Sequence, residues 1–273
     1  MRKTKMAQKV EFEPSPAFDF SNSIRNVALT KMGLKPPTLT STGTTIVAVV
    51  VKDAVVMGAD SRSTAGNLIA NKRAEKVHYI TESIRACGAG TAADLDQVSK
   101  MLSANLRLQE LNSGRKARII TAVKMAKQHL FQYQGYIGAY LLIGGYDFTG
   151  PHLYNVSANG FDLHLPFHAD GSGSYCAMAI LERDYKVDMT IEEGKDLVRR
   201  ALEAGMHGDN FSGNAYNLIV LDKNGANFEG PLIPSFCTTP ENIELSYKYK
   251  PGATKVLKQK TFKYDVVETM EIH

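Results

Sequence analysis

The chain has 273 residues and a mass of 29.9 kDa, with 44% hydrophobic and 22% charged side chains, which is ordinary for a globular protein with its own core. Its formal net charge of +4 arises entirely in residues 1–43, because residues 44–273 carry equal numbers of basic and acidic side chains. Proteins that bind nucleic acids usually concentrate positive charge on a folded domain, so this distribution argues against a nucleic-acid partner.

The sequence also argues against membrane insertion and secretion. No run approaches the roughly 20 apolar residues that span a bilayer, and the basic N-terminus does not lead into the apolar segment of a secretory signal. Three scattered cysteines form neither a disulfide framework nor a metal-binding cluster: Cys87, Cys176 and Cys237. We therefore expect no membrane, no metal and no cofactor, and a location in the cytoplasm and nucleus.

The composition changes sharply near residue 43. Before it, four prolines interrupt a stretch with little periodicity, which predicts a leader that is flexible by itself. After it, β-branched apolar runs and stripes with helical spacing predict regular elements. In chain order these are strands at 44–52, 54–60, 77–80 and 83–87, helices at 91–111 and 119–133, strands at 139–144, 153–156 and 163–167, helices at 174–182 and 191–204, and a strand at 217–221.

Local signals place several helix ends. Thr91 with Asp94 predicts an N-terminal cap and Gly114 a stop, while Thr190 with Glu193 predicts a capping box. Residues 240–273 form a polar tail without a helical stripe. Strict βαβ alternation is missing, which disfavours a doubly wound parallel sheet. Two antiparallel sheets packed on each other, with helices outside, use these elements well.

Two motifs have ordinary structural interpretations. Residues 87–93 match G-x-G-x-x-A after a strand, but Glu110, at the distance expected for the ribose-binding acid, lies inside a helical pattern. A close strand-to-helix turn is therefore favoured over dinucleotide binding. His164 and His168 would share a face of one strand, yet no third ligand of suitable spacing accompanies them, so a metal pair is disfavoured.

The junction Gly43-Thr44-Thr45 carries the strongest chemical signal. If the leader is removed between Gly43 and Thr44, Thr44 bears both a hydroxyl nucleophile and a free α-amine. An α-amine has a pKa of about 8, so part of it is neutral and can accept the hydroxyl proton. A nearby cation would lower the hydroxyl pKa, and Lys76 is a candidate, with Asp60 to orient it.

This set of residues resembles the catalytic β subunits of the proteasome, which are N-terminal-nucleophile hydrolases. The resemblance covers residues 44 to about 235 and implies a four-layer αββα sandwich of two antiparallel sheets, an α+β fold. The matching landmarks are Gly43-Thr44-Thr45, Gly58-Ala59-Asp60-Ser61-Arg62, Lys76, Cys87-Gly88-Ala89-Gly90, Gly171-Ser172-Gly173-Ser174 and Asp209-Asn210-Phe211-Ser212-Gly213.

The resemblance also implies roles for individual residues. Thr44 would be nucleophile and, through its amine, base, tuned by Asp60 and Lys76. The backbone N–H of Gly90 would stabilise the oxyanion. Three further residues would hydrogen-bond near the amine and transfer protons: Ser172, Asp209 and Ser212. Residues 1–43 would be a propeptide that keeps the precursor inactive until the chain cuts its own Gly43–Thr44 bond.

Substrate specificity and assembly follow from the same resemblance. The pocket for the residue before the cut bond would be lined by Ser63, Ala74, His78, Gly88, Ala92 and Asp96. Gly88 would leave this pocket deep, and Asp96 would place a carboxylate within reach of a long cation, the pattern of the trypsin-like type. Residues 44–235 would be the catalytic domain, and residues 236–273 an extension that contacts a neighbour. Partners would be other α and β subunits in stacked heptameric rings, and substrates unfolded polypeptides.

Other functions remain open from sequence alone. A non-catalytic structural β subunit of the same ring is one alternative. A bacterial-type homologue that forms simpler rings, or a small-molecule amidase of the same superfamily, is another, although such chains commonly lack this leader and tail. A nucleotide-binding module is a further alternative.

Overall fold

A computed structural model describes residues 21–34, 42–238, 252 and 257–264. The chain divides into two compact units, one ending at Thr238 and one beginning at Thr239. In the second unit residues 257–264 form neither helix nor strand, and most of the tail predicted at 240–273 lies outside the described residues. Among the helices that the structure describes, none combines the length and apolarity needed to cross a bilayer.

In the described ranges 21–34 and 42–238, the first unit contains twelve strands, five α-helices and a short 3₁₀ turn. The strands are β1 (Ile46–Val51), β2 (Ala54–Asp60), β3 (Ser63–Ala65), β4 (Leu68–Asn71), β5 (Val77–Tyr79), β6 (Ile84–Gly90), β7 (Ala139–Asp147), β8 (Gly150–Val156), β9 (Asp162–His164), β10 (Phe167–Asp170), β11 (Tyr216–Asp222) and β12 (Gly225–Leu232). The helices are α1 (Ser21–Lys31), α2 (Ala92–Ser113), α3 (Ile119–Gln132), α4 (Ser174–Asp184) and α5 (Ile191–Gly208), and Ser235–Cys237 forms the 3₁₀ turn.

The strands form two five-stranded antiparallel sheets and one small hairpin. One sheet has the order β10-β1-β2-β11-β12 and the other β5-β6-β7-β8-β9, while β3 and β4 pair with each other. Helices α4 and α5 pack on the first sheet, α2 and α3 pack on the second, and a third apolar cluster fills the space between the sheets. The predicted αββα sandwich is therefore confirmed.

The first hairpin explains how the apolar sequence folds around residue 44. Strands β1 and β2 pair antiparallel across Lys52-Asp53, with Ile46 opposite Ala59 and Val51 opposite Ala54. Every residue of β2 is buried, and β1 is buried except for a half-buried Val50. Such burial on both faces is what a continuous β-branched run predicts for a strand between two packed layers.

One predicted strand is wrong, because the segment at 163–167 divides between the two sheets. Its start, β9, pairs with β8, whereas its end belongs to β10, which pairs with β1. Pro166 lies between them, and proline has no N–H to continue a strand ladder. His164 and His168 consequently lie in different sheets and do not share a face.

Four further elements are absent from the prediction. Helix α1 lies inside the leader that was expected to be flexible, and its apolar side chains Ile24 and Val27 are about half exposed. The β3–β4 hairpin has little buried surface, and β12 is an edge strand containing Pro231 and largely exposed side chains. Because each of them lacks a continuous buried stripe, sequence periodicity gives no signal for them.

The predicted capping residues lie at helix ends, but they do not all act as predicted, and α4 and α5 run to Asp184 and Gly208 rather than ending at 182 and 204. Thr190 and Glu193 form the predicted capping box, and Gly114 ends α2 in the left-handed conformation with φ of 65°. Thr91 occupies the N-cap position of α2, but its side chain makes no capping bond. Asp94 instead accepts a hydrogen bond from the Gly138 N–H at 2.8 Å.

Candidate active site

The β1–β2 hairpin brings residue 44 next to Asp60. Beyond the last strand pair, the Asp60 N–H donates to the Thr45 carbonyl oxygen at 3.1 Å, and the Thr45 N–H donates to Asp60 Oδ1 at 2.9 Å. Two loop N–H groups, from Arg62 and Gly213, donate to Asp60 Oδ2 at 3.1 Å each. The carboxylate is thus fixed directly beside the start of β1.

Lys76, which immediately precedes β5, connects both sides of the junction. Its Nζ donates to Asp60 Oδ1 at 2.7 Å, to Thr44 Oγ1 at 3.1 Å and to the Gly43 carbonyl oxygen at 2.9 Å. The exposed fractions of Thr44, Asp60 and Lys76 are 2%, 0% and 7%. One buried ammonium therefore contacts the hydroxyl, the carbonyl before it and the carboxylate that orients it.

Burial changes the protonation of this ion pair. Removal from water lowers the pKa of Lys76, and the adjacent Asp60 carboxylate opposes part of that change. Removal from water also raises the pKa of Asp60, against the opposing effects of Lys76 and the backbone N–H donors. Because burial disfavours the Lys76 cation, this lysine gives up a proton more readily than an exposed lysine does.

A second set of polar side chains lies around the backbone nitrogen of Thr44. The Thr44 N–H donates to Ser172 Oγ at 3.1 Å, and Ser172 Oγ donates to Asp209 Oδ2 at 2.5 Å. Ser212 Oγ donates to the same Asp209 oxygen at 2.6 Å and accepts a bond from Thr45 Oγ1 at 2.8 Å. The structure therefore brings Ser172, Asp209 and Ser212 together beside the nitrogen that cleavage would free.

Thr42 and Gly43, which precede the junction, are held by hydrogen bonds to neighbouring segments. Thr42 pairs antiparallel with Gly90, with its N–H donating to the Gly90 carbonyl oxygen at 3.1 Å. The Gly43 N–H donates to Thr64 Oγ1 at 3.2 Å. The oxyanion role of the Gly90 N–H stays a prediction, since the Gly43 carbonyl oxygen accepts from Lys76.

Close contacts around the junction require glycine at two positions. A Cβ on Gly43 would lie 1.9 Å from the Cβ of Phe211, which leaves no room for a side chain. Gly171 has a φ of 91°, and a Cβ there would lie 2.2 Å from the Thr44 carbonyl oxygen. Both glycines thus let neighbouring backbone approach residue 44.

A cavity of about 520 Å³ opens over this junction. It is lined by Thr42, Gly43, Thr64, Gly66, Asn67, Ala89, Gly90, Tyr140, Asp170, Gly171, Ser172 and Phe211. A peptide in this cavity would lie against the residues that contact the Gly43–Thr44 bond.

The six predicted specificity residues do not line this cavity. Ser63, Ala74, His78 and Asp96 are half-buried, Ala92 is exposed, and Gly88 is buried. Burial lowers the pKa of His78, and the Asp96 and Glu75 carboxylates partly oppose it, which places Asp96 in electrostatic range of His78. Asp96 itself forms an exposed ion pair with Lys100 at 2.7 Å.

Gly88 lies against α2. A Cβ at this position would come within 2.6 Å of Leu95 Cδ2. Its missing side chain therefore makes room for α2 to pack on β6, and its role in a deep specificity pocket stays a prediction.

Sequence reasoning did not assign roles to several site residues. Arg62 donates from Nε to Asn214 Oδ1 at 2.8 Å and from Nη1 to the Asn210 carbonyl oxygen at 2.9 Å, which holds the loop that covers Asp60. Thr64 orients Gly43, and the Thr45 hydroxyl extends the network of Ser212. Thr45 and Arg62 lie within the sequence landmarks of the resemblance, which could have pointed to a role at the site. Nothing in a single sequence points to Thr64.

Within the ranges that the structure describes, no group of three or more His, Cys, Asp or Glu side chains is arranged to hold a metal ion. The chemistry available at the junction is that of a hydroxyl, an ammonium and carboxylates. Such a set can activate an oxygen nucleophile and polarise a carbonyl group.

Comparisons with known proteins show which proteins the whole chain is similar to. Residues 40–221 match the family model described as "Proteasome subunit", and residues 244–270 match the model "Proteasome beta subunits C terminal". The chain is 45% identical over 255 residues to "Probable proteasome subunit beta type-2" of Schizosaccharomyces pombe, covering 93% of this chain and 94% of that protein. It is 42% identical to "Proteasome subunit beta type-10" of Bos taurus, over 92% of both chains, and 44% identical to "Proteasome subunit beta type-7" of Dictyostelium discoideum, over 89% and 90%.

Proposed function

This chain belongs to the proteasome β-subunit family, and from that membership we propose that it is a threonine endopeptidase made as an inactive precursor. Subunits of this family assemble with other proteasome subunits in rings, and they are generally threonine peptidases. The observation that carries the proposal is the contact of Lys76 Nζ with both Thr44 Oγ1 and the Gly43 carbonyl oxygen.

Self-cleavage is the first step of the proposal. Thr44 Oγ1 attacks the Gly43 carbonyl carbon, while Lys76 stabilises the negative charge that develops on the Gly43 oxygen. The hydroxyl gives up one proton as it attacks and the leaving nitrogen of Thr44 takes up one as it departs, so the step conserves protons while Lys76 remains an ammonium. The C–N bond breaks, an ester to Thr44 Oγ1 remains, and water hydrolyses it to release residues 1–43 as a carboxylic acid.

Peptide hydrolysis follows once the α-amine of Thr44 is free. In the precursor this nitrogen is an amide without basicity, so the same bond that attaches the leader also prevents general-base catalysis. After cleavage the neutral amine accepts the hydroxyl proton and later protonates the leaving amine of the substrate. The Ser172 and Asp209 contacts seen at the Thr44 nitrogen would then hold the amine in position.

We further propose cleavage after basic residues, with Asp96 as the carboxylate that pairs with the substrate cation. Its present partner, Lys100, is largely exposed, and exposed ion pairs stabilise by only about 0–1 kcal/mol. A substrate Arg or Lys can therefore displace Lys100 at little cost. The same proposal includes stacked heptameric rings with other α and β subunits, unfolded polypeptides as substrates, and a location in the cytoplasm and nucleus.

Replacement of Thr44 tests the proposal. In the assembled particle, Thr44→Ala should leave the chain at its precursor mass and abolish peptide hydrolysis by this subunit, whereas Thr121→Ala, a threonine on α3 remote from the site, should be processed normally. Intact-mass measurement gives the processing site directly. A wild-type chain in the assembled particle that stays uncleaved and does not react with a threonine-directed covalent inhibitor would instead favour the non-catalytic structural subunit.

A further inference from the structure

Two histidines on neighbouring strands of the second sheet form a close pair. They are distant in sequence from the Gly43–Thr44 junction and have no part in the chemistry proposed there. His152 lies on β8 and His164 on the edge strand β9, and His152 Nδ1 is 3.2 Å from His164 Nε2. The rings are 5.3 Å apart between centroids. The division of the predicted 163–167 strand creates this pair, because it leaves His164 beside β8 and moves His168 to the other sheet.

Neighbouring groups determine which nitrogen of His152 is free to bind a metal. Thr149 Oγ1 donates its proton to Asp147 Oδ1 at 2.5 Å, so this oxygen can only accept from His152 Nε2, 2.8 Å away. His152 Nε2 therefore carries the proton, and Nδ1 presents its lone pair toward His164. Metal-ligating imidazoles usually donate their other N–H to an oxygen acceptor that fixes the tautomer, and here the Thr149 hydroxyl, oriented by Asp147, is that acceptor.

His164 is accessible to solvent. It is exposed, and its ring stacks on Tyr154 with 4.6 Å between centroids. A cation from solvent can therefore reach the edge of this ring.

The separation of the two nitrogens fits a shared metal ion. Two imidazole nitrogens at about 2.05 Å from a tetrahedral zinc ion are about 3.35 Å apart. Each ring then points about 35° away from the line that joins the nitrogens, a movement that the broad χ2 preference of histidine permits.

We propose that His152 Nδ1 and His164 Nε2 form a two-histidine site for a divalent ion that prefers imidazole, with Zn²⁺ as the physiological class and water completing its coordination. With only two protein ligands this is an exchangeable surface site, in accord with the lack of larger ligand clusters in the described ranges. The ion links β9 to β8 at the sheet edge. The inference stands independently of the proposed peptidase function.

Zinc binding to the uncharged pair needs no net proton release. In the metal-free pair the His164 Nε2 proton bridges to His152 Nδ1. On binding, that proton leaves Nε2 and another is taken up at Nδ1 of His164, so the ring changes tautomer and both nitrogens of the pair face the ion.

Titration of zinc sulfate into the purified full-length chain tests the site, with calorimetric detection at pH 7.5. The wild-type chain should bind one equivalent of zinc. His152→Gln and His164→Gln should each abolish this binding or weaken it at least about tenfold, whereas His168→Gln should bind zinc like the wild type. Thr149→Val should weaken binding by about 10–100-fold and Thr149→Ser should restore it, because only the hydroxyl fixes the tautomer. Urea unfolding without zinc verifies that each variant is folded.

A spectroscopic measurement identifies the ligands directly. Cu²⁺ follows the same nitrogen preference with higher affinity, so its electron paramagnetic resonance spectrum should show two coupled nitrogens that become one in either histidine variant. Millimolar Mg²⁺ should not compete. Equal zinc stoichiometry and affinity in wild type and His164→Gln, or no zinc binding by the wild-type chain below millimolar concentration, would overturn the proposal.

Discussion

Replacing Lys76 by methionine separates the chemical role of the ammonium from its structural role. The substitution keeps the length and apolar stem of the side chain but removes the contacts to Gly43, Thr44 and Asp60. Self-cleavage should then fail because neither the nucleophile nor the developing oxyanion is stabilised. Removal of one preorganised oxyanion donor slows catalysis by about 10²–10³-fold, and the loss here should reach that range.

The structural cost can be worked out from the partners that Asp60 retains. Removing one member of a buried ion pair destabilises a protein by about 3–5 kcal/mol. The Asp60 carboxylate still accepts three backbone N–H bonds after the substitution, so we expect the lower end, about 3 kcal/mol. Since domains are usually stable by about 5–15 kcal/mol, a folded variant should be obtainable.

Two measurements on the same samples distinguish the roles. Intact mass followed over time gives the processing rate, and urea unfolding gives the loss in free energy of unfolding. Lys72→Met, an exposed lysine four residues earlier, should change neither quantity. A folded Lys76→Met chain that is processed at the wild-type rate would refute the reasoning, whatever its stability.

Three further substitutions test separate parts of the structure. Gly43→Ala should slow self-cleavage by at least about tenfold in an intact-mass time course, because its Cβ would displace the junction from Phe211, and misplacement by about 1 Å can cost 10²-fold. Asp96→Asn should lower kcat/KM for fluorogenic substrates ending in Arg relative to Leu by about 10–100-fold, since a hydrogen bond to a charged group contributes about 1.5–3 kcal/mol. Folding lowers the pKa of His78, so below pH 6.5 the unfolded chain binds more protons than the folded chain, and the free energy of unfolding falls as the pH drops. His78→Gln should lessen this fall when urea unfolding is compared between pH 7.5 and 5.5.

Each of these has an internal control. The mature fraction from Gly43→Ala lacks the substituted residue and should hydrolyse peptides normally, so a slow mature enzyme would contradict the steric argument. Glu75→Gln removes the other carboxylate near His78 and should leave the Arg preference intact; an unchanged preference in Asp96→Asn would refute the pocket assignment. Equal pH dependence in wild type and His78→Gln would show that His78 is not responsible.

Much of the fold could be predicted because the signals are strong and local. Continuous apolar runs gave β1 and β2, helical stripes gave α2 and α3, and Thr190 with Glu193 gave the start of α5. The candidate site could be named because Thr44, Asp60 and Lys76 fall in a recognisable order. Their convergence at Lys76 Nζ was expected from that resemblance and is present in the geometry.

The remaining features depend on packing between distant segments. The same stretch of sequence that looks like one strand contributes to two sheets, because Pro166 interrupts the ladder and each half finds a different partner. Gly88 looks like an open pocket position, yet the space beside it is taken by Leu95 from α2. A residue and its immediate neighbours do not specify which side chain will occupy the adjoining volume.

The register of one hairpin connects the strand pattern to the chemistry. With Ile46 opposite Ala59, the next step of the ladder places Thr45 opposite Asp60, and their paired hydrogen bonds fix the carboxylate beside the nucleophile. The two-residue turn at Lys52-Asp53 sets that register. A slip of one residue would turn every side chain of one strand to the opposite face. Asp60 would then lose its hydrogen bond with Lys76 Nζ. The length of this turn is therefore as necessary to the site as the reactive residues themselves.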